Sequence, residues 1–167
     1  MTHIVYLSLG SNMGERVETL RDAITALNET AGTVTDVADR YVTSPVGYEA
    51  QDDFVNTAVR LETSLDAEAL LVVIHQIEQD FHRERLIHWG PRTLDIDIIF
   101  FGETTYTSKT LTIPHAEAFN RLFVLVPIQQ IYQEQMYRET LQQRIQYLLA
   151  TTNQTIRKMT DDTTERQ

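Results

Sequence analysis

The order of strand-like and helix-like segments predicts an α+β, ferredoxin-like fold of the split βαβ type, an antiparallel sheet with helices packed on one face. Three observations predict it. Period-two apolar runs and period-3.6 apolar stripes follow one another in the order β-α-β-β-α-β. The chain has 167 residues, enough for one domain over 1–150 followed by a polar C-terminal segment over 151–167. Hydrophobic residues make up 42% and charged residues 23%, a balance that buries a core without disulfides or structural metal.

The first strand is the β-rich run from Ile4 to Leu9, which Gly10-Ser11-Asn12 closes as a turn. Val17, Leu20, Ile24 and Leu27 then fall at helical spacing, with Glu15 and Glu18 in the first turn, where carboxylates suit the helix dipole. Residues 33–42 and 54–63 are Val/Thr/Tyr-rich and alternate, so they read as strands. The connector between them, Thr43 to Asp53, is too long for a tight turn, and long ordered loops are often functional. Asp66 is the expected N-cap of a second helix carrying Leu70, Ile74, Ile77 and Phe81 on one stripe. A polar stretch, His82 to Arg92, leads into Thr93–Gly102, whose apolar density predicts a central strand. Residues 104–113 fit a short edge strand. A helix is expected between Ala116 and Ile131, with Pro127 early in it or interrupting it. Leu141, Ile145, Leu148 and Leu149 mark a last helix, and the Thr-rich end after it is expected to fray.

Composition removes several classes of function. There is no cysteine, so disulfide frameworks, thiolate metal sites and thiol nucleophiles are excluded. The 24 Asp+Glu against 14 Lys+Arg give a net charge of -10, which opposes general binding to nucleic acid or anionic lipid. No basic segment precedes the first apolar run and no run approaches the ~18 apolar residues of a membrane span, so a cytoplasmic protein, monomer or weak dimer, is expected.

Chemistry concentrates near residue 95. Asp95 and Asp97 are two apart in the best strand of the chain, which puts both carboxylates on one face, with Cα atoms roughly 7 Å apart. Two hard anionic ligands at that separation suit Mg²⁺, which completes its shell with water and phosphate oxygens. A lone D-x-D is more often a solvated strand face. Here Ile99 and Phe101 continue the row, and burying two like charges together is costly without a cation. Immediately upstream, Arg83, Arg85 and Arg92 form the main cluster of positive charge in an acidic chain, and arginine forks bind phosphate oxygens bidentately. Gly10-Ser11-Asn12-Met13-Gly14 resembles a phosphate cradle in outline but lacks the Walker pattern.

Trp89-Gly90-Pro91-Arg92-Thr93-Leu94-Asp95-Ile96-Asp97 forms the core of a wider set of motifs: Gly10-Ser11-Asn12, Thr43-Ser44-Pro45, Phe54-Val55-Asn56, Ile77-Glu78, Leu111-Thr112-Ile113-Pro114-His115 and Asn120-Arg121. In that order, over roughly residues 3–130, the chain resembles the 6-hydroxymethyl-7,8-dihydropterin pyrophosphokinases of folate biosynthesis. The resemblance implies a ferredoxin-like fold and transfer of the β,γ-pyrophosphoryl unit of ATP to the hydroxymethyl group of the pterin, with release of AMP. It implies two Mg²⁺ held by Asp95 and Asp97, with Arg83 and Arg92 gripping the moving phosphates. Thr43, Ser44, Pro45, Val46, Phe54, Asn56, Trp89, Asp95 and Phe123 would form the pterin side, the two phenylalanines stacking on its faces. His75, Glu78, Arg83, Arg85, Trp89, Arg92, Ile98, Leu111, Thr112, His115 and Arg121 would form the ATP side. Both the connector after Thr43 and the arginine loop would act as lids.

The chain departs from that family's usual pattern at His82 for a glycine, His88 for an arginine, His75 for a glutamine and Ala116 for an aromatic residue. His88 makes one cationic donor titratable near neutrality, which implies greater pH sensitivity. Three other readings compete. A catalytically silent ferredoxin-like binding module would not need Asp95, Asp97 and Arg92 together. Nucleotidyl transfer places Gly-Ser on the turn just before its aspartates, whereas Gly10-Ser11 lies two strands and two helices away. An RNA-binding sheet would need aromatic motifs and a basic face, and neither is visible.

Overall fold

The computed structural model describes residues 1–12, 16–43, 54–84 and 94–159, with the backbone alone at 83 and 84. In chain order the elements are β1 (His3–Ser11), α1 (Arg16–Thr30), β2 (Thr33–Val37), β3 (Tyr41–Thr43), β4 (Phe54–Thr63), α2 (Ala67–Glu84), β5 (Leu94–Phe101), β6 (Tyr106–Thr107), β7 (Thr112–Ile113), α3 (Leu122–Ile131), α4 (Arg138–Thr151) and β8 (Arg157–Lys158), with a 3-10 turn at Ala118–Asn120. The main sheet is antiparallel in the order β5-β1-β4-β3-β8, with β2 also paired to β4. This is the expected fold class with two strands more in the main sheet: β8 is added beside β3, and the single strand expected over 33–42 divides at residues 38–40. Both pieces pair with the same edge of β4, and the irregularity between Val34 and Asp36 marks where the twist increases.

The alternation of β1 decides the layers. Val5, Leu7 and Leu9 are fully buried against Leu20 and Leu27 of α1 and Leu70 and Ile74 of α2. Tyr6 enters a second core with Phe100, Leu122, Leu125 and Ile128 of α3, and Leu141, Ile145 and Leu148 of α4. Each such aliphatic side chain contributes roughly 1.5–3 kcal/mol when withdrawn from water. Helices therefore cover both faces of the sheet, not one, because the last two apolar stripes need a surface of their own. Tyr6 also donates its hydroxyl hydrogen to Glu134, which pairs with Arg60 at 2.8 Å, tying β1 and β4 to the turn between α3 and α4.

Two elements sit where the sequence pattern misplaces them. β5 lies at the edge of the sheet, not its centre. Its apolar density comes from burial on both faces, and its free edge is met by the segment holding β6 and β7, a separate two-stranded sheet and not the single edge strand expected over 104–113, through His115 N–H to the Ile99 carbonyl. Pro127 lies inside α3, neither early nor at a break. It removes only the N–H that would bond the Phe123 carbonyl, and the helix continues on its buried neighbours Leu125 and Ile128.

The C-terminal segment does not fray over 151–159. Arg157 and Lys158 pair with Val42 and Tyr41, Met159 N–H donates to the Arg40 carbonyl at 2.8 Å, and Lys158 Nζ meets Asp39 at 2.8 Å. The Met159 side chain is buried in the first core. The segment looks unstructured in sequence because its polar side chains face outward while the backbone and one methionine hold it. Met159→Ala is accordingly expected to destabilise the fold by about 2 kcal/mol in urea unfolding; a loss below about 0.5 kcal/mol would mean that this methionine is not packed.

Candidate functional site

On β5, Leu94, Ile96 and Ile98 turn into the α1/α2 core, so Asp95 and Asp97 must turn to the opposite face. There they lie beside Gly10 and Ser8 of β1, whose neighbours across β4 are Asn56 and Ala58. The row does not continue to Phe101. The register between β1 and β5 passes from Leu7–Ile98 to Tyr6–Phe100, leaving Ile99 as the extra residue of a β-bulge. Ile99 and Phe100 therefore both enter the α3/α4 core, and Phe101 crosses to the other side. The two carboxylates occupy the open end of a sheet face whose remainder is sealed by α3 and α4.

That open end forms a cavity of about 810 Å³ lined by Ser8, Gly10, Thr43, Phe54, Asn56, Asp95, Asp97, Arg121, Leu122, Phe123, Asn153, Gln154 and Thr155. Seven of the expected site residues thus meet: Thr43, Phe54, Asn56, Asp95, Asp97, Arg121 and Phe123. Asn56 is buried, and its side-chain amide donates to Thr43 Oγ1 at 3.0 Å. Gly10 is not in a turn but inside β1, and a Cβ there would stand 2.7 Å from Asn56 Oδ1, so glycine is what lets the amide lie across the strand. Phe54 reaches the cavity from the sheet and Phe123 from the first turn of α3, with the Arg121 guanidinium 5.8 Å from the Phe123 ring centroid. Two aromatic walls with a few fixed polar groups suit a flat heterocycle.

A second group of expected residues gathers along the free edge of β5. Glu78 on α2 accepts the Ile96 N–H at 2.8 Å, and His115 Nε2 lies 3.9 Å from Asp97 Oδ1. Leu111 packs against the first core, Thr112 is exposed on β7, His75 is exposed on α2, and the Ile98 side chain is buried beneath this edge. His82, one of the departures from the family pattern, accepts the Leu94 N–H at 3.2 Å and ties the end of α2 to the start of β5. Ser44, Pro45, Val46, Arg85, Trp89 and Arg92, with the side chain of Arg83, lie outside the described residues. Sequence reading missed Ser8, Leu122, Asn153, Gln154 and Thr155 as cavity residues, and took Gly10 for a turn. Ser8 and Gly10 were within reach through the period of β1, whereas nothing local marks 153–155.

The electrostatics favour a cation. Burial, together with the neighbouring charge of Asp97, raises the Asp95 carboxyl above its ordinary range. Burial, with Asp95 and Asp97 adding to it, pushes Glu78 up to about 7 despite the stabilising Ile96 N–H. Among the described residues no group of three or more metal-ligating side chains converges into a cage. Two carboxylates on one open face are instead the donor set that suits Mg²⁺, which keeps water and phosphate oxygens as its other ligands. A broad hollow of about 660 Å³ on the outer side of α4 is lined by glutamines with Arg138 and Glu139 and holds no such arrangement.

Comparison with known proteins gives a consistent picture. A family model for 7,8-dihydro-6-hydroxymethylpterin-pyrophosphokinase matches residues 6–133. The bifunctional protein FolKE of Lactococcus lactis subsp. cremoris is 50% identical over 124 residues, 74% of this chain, and the chain spans 36% of that longer protein. The 2-amino-4-hydroxy-6-hydroxymethyldihydropteridine pyrophosphokinase of Bacillus subtilis is 44% identical over 135 residues, covering 80% of this chain and 81% of the relative. A crystal structure of Plasmodium falciparum HPPK-DHPS superposes with a TM-score of 0.73 at 17% identity, over 90% of this chain and 45% of that one, a likeness of fold.

Glu78 makes the metal-free protein pH-sensitive. Its folded value, about 7, lies above the ordinary 4.5, so its contribution to stability is complete below 4.5 and is lost as pH rises from there through 7. Glu78→Gln keeps an acceptor for Ile96 and removes the charge. Urea unfolding of the metal-free protein should show the variant more stable than wild type by about 1–2 kcal/mol at pH 8, after allowance for solvent screening, and equal to it at about pH 4. Parallel pH profiles for the two proteins would contradict this assignment.

Proposed function

The chain belongs to the 7,8-dihydro-6-hydroxymethylpterin-pyrophosphokinase family, and on that premise we propose that it transfers the β,γ-diphosphoryl group of ATP to the hydroxymethyl oxygen of 6-hydroxymethyl-7,8-dihydropterin. The observation that carries this reading is the placement of Asp95 and Asp97 in one cavity with Phe54, Asn56, Thr43 and Phe123. A phosphate-and-cation end and a heterocycle end are adjacent, as a transfer between nucleotide and pterin requires.

In the proposed reaction the pterin ring lies between Phe54 and Phe123, its polar edge facing the Asn56 and Thr43 side chains, with Ser44, Pro45, Val46 and Trp89 completing that side. The ring orientation points the hydroxymethyl oxygen toward Asp95. ATP runs along the free edge of β5, past Glu78, Ile98, Leu111, Thr112 and His115, with His75 and Arg121 at its margins. The hydroxymethyl oxygen bonds to the β-phosphorus as the bond from that phosphorus to the α,β-bridging oxygen breaks. AMP leaves with the electron pair of that bond, and the hydroxyl proton passes to solvent. Asp95 and Asp97 would hold the two Mg²⁺ expected for this chemistry, which neutralise triphosphate charge when bound. Arg83 and Arg92, with Arg85 beside them, would grip the phosphates and exclude water. The ATP requirement supports an intracellular site of action, and a cytoplasmic one is in keeping with it.

The purified chain mixed with Mg-ATP and 6-hydroxymethyl-7,8-dihydropterin should yield AMP and the pterin diphosphate in equal amounts. ADP as the nucleotide product would contradict diphosphoryl transfer. Asp95→Asn and Asp97→Asn should each lower kcat by about a thousandfold, while Tm stays at or slightly above that of wild type because a like-charge neighbour is removed. Full activity in either variant would remove the carboxylate pair from the mechanism.

A further inference from the structure

The family match ends at residue 133, yet Asn153, Gln154 and Thr155 line the cavity. What they do there follows from how α3 begins. Arg121, the residue preceding the helix, has extended backbone and makes no side-chain capping bond. The N–H groups of a helix's first turn have no acceptor within the helix, and an end without partners is costly. Leu122 finds its partner far along the chain: its N–H donates to Gln154 Oε1 at 2.9 Å, while Gln154 Nε2 donates to the Asn120 carbonyl at 3.0 Å. One side-chain amide thus grips the backbone on both sides of Arg121.

The grip has a firm base. Residues 157–159 are fastened to β3 and to the first core, and Gln154 N–H also donates to Thr152 Oγ1 at 3.3 Å. From α4, Arg144 holds the same stretch, Nε to the Phe119 carbonyl at 3.0 Å and Nη2 to Asn120 Oδ1 at 3.1 Å. Arg121 and Phe123, the residues flanking Leu122, both face the cavity. The angle at which α3 starts therefore sets where an aromatic wall and a guanidinium stand.

We propose that Gln154 is a positioning residue for substrate, fixing Phe123 and Arg121 by clamping the Asn120–Leu122 junction. This rests on reading the cavity as the pterin pocket. A wall that moves by even a fraction of an ångström loses stacking contact with a flat ring, whereas the long side chain of Arg121, at the margin of the nucleotide, can follow a phosphate through a shift of that size, so the effect falls mainly on pterin binding.

The test uses the full chain and two variants. Gln154→Ala removes both bonds, and Gln154→Glu keeps the acceptor for Leu122 while losing the donor to Asn120. Gln154→Ala should raise KM for the pterin about fivefold to tenfold, the scale of a lost helix cap, with kcat and KM for ATP within about twofold of wild type. Gln154→Glu should fall between the two. Amide exchange at Leu122, measured without substrate, should quicken about tenfold in Gln154→Ala, matching loss of the same bond. An active wild type with an unchanged pterin KM in Gln154→Ala overturns the positioning role alone. So does a joint fall in kcat and Tm with a rise in both KM values, which would mark general fold support. Absence of AMP from the wild-type reaction overturns the pterin reading itself, and unchanged Leu122 exchange overturns the clamp independently of any substrate.

Discussion

Asp95 and Asp97 project together from one short segment of edge strand because Leu94, Ile96 and Ile98 claim the other face for the core. Their proximity is unfavourable in the absence of a counter-charge: burial raises the Asp95 and Glu78 carboxyls above their ordinary range, and the neighbouring carboxylates add to that rise. The hydrophobic layer of α1 and α2 leaves the carboxylates no alternative orientation. The bulge at Ile99 ends the polar row sharply, since the next two side chains return to an apolar core. A strand that is ordinary in its apolar half thereby carries a concentrated negative charge at the mouth of a cavity.

The sheet divides labour between its surfaces. One face is wholly structural. The other is sealed by α3 and α4 over Tyr6, Ala58 and Phe100 and left open beyond Ser8 and Ala58, where Gly10 makes room for Asn56. The free edge of β5 supplies a third surface on which Glu78 accepts the Ile96 N–H between the two aspartates and His115 approaches Asp97. Two ligands of different chemistry can thus approach one carboxylate pair from different sides, which is the arrangement a two-substrate transfer needs.

Much of this was legible in the sequence where a residue's role is set by its own strand or helix. The period of two in β5 gave the shared face of Asp95 and Asp97, the run 54–63 matched β4 at both ends, and Asp66 caps α2 through the Ala69 N–H at 2.8 Å. What escaped depends on partners remote in sequence. The edge position of β5 is set by which strands find β1, and strong burial looks the same at an edge covered by a hairpin as in a sheet centre. Ile99 is an ordinary isoleucine whose bulge exists only in register with Tyr6 and Leu7. Gln154 lies in a Thr-rich tail with no periodicity, and its role appears only once β8 pairs with β3. The placement of helices on both faces was hidden for the same reason, because an apolar stripe shows that a surface is buried and not against which side.

The most direct measurement is a crystal structure of the protein with Mn²⁺ in place of Mg²⁺ and a non-hydrolysable ATP analogue, read by anomalous scattering. The account predicts metal density touching carboxylate oxygens of both Asp95 and Asp97 and phosphate oxygens of the nucleotide, with the ring-binding end of the cavity still open beside Phe123. Nucleotide bound with no ion at that pair, or an ion held by other residues, would contradict it.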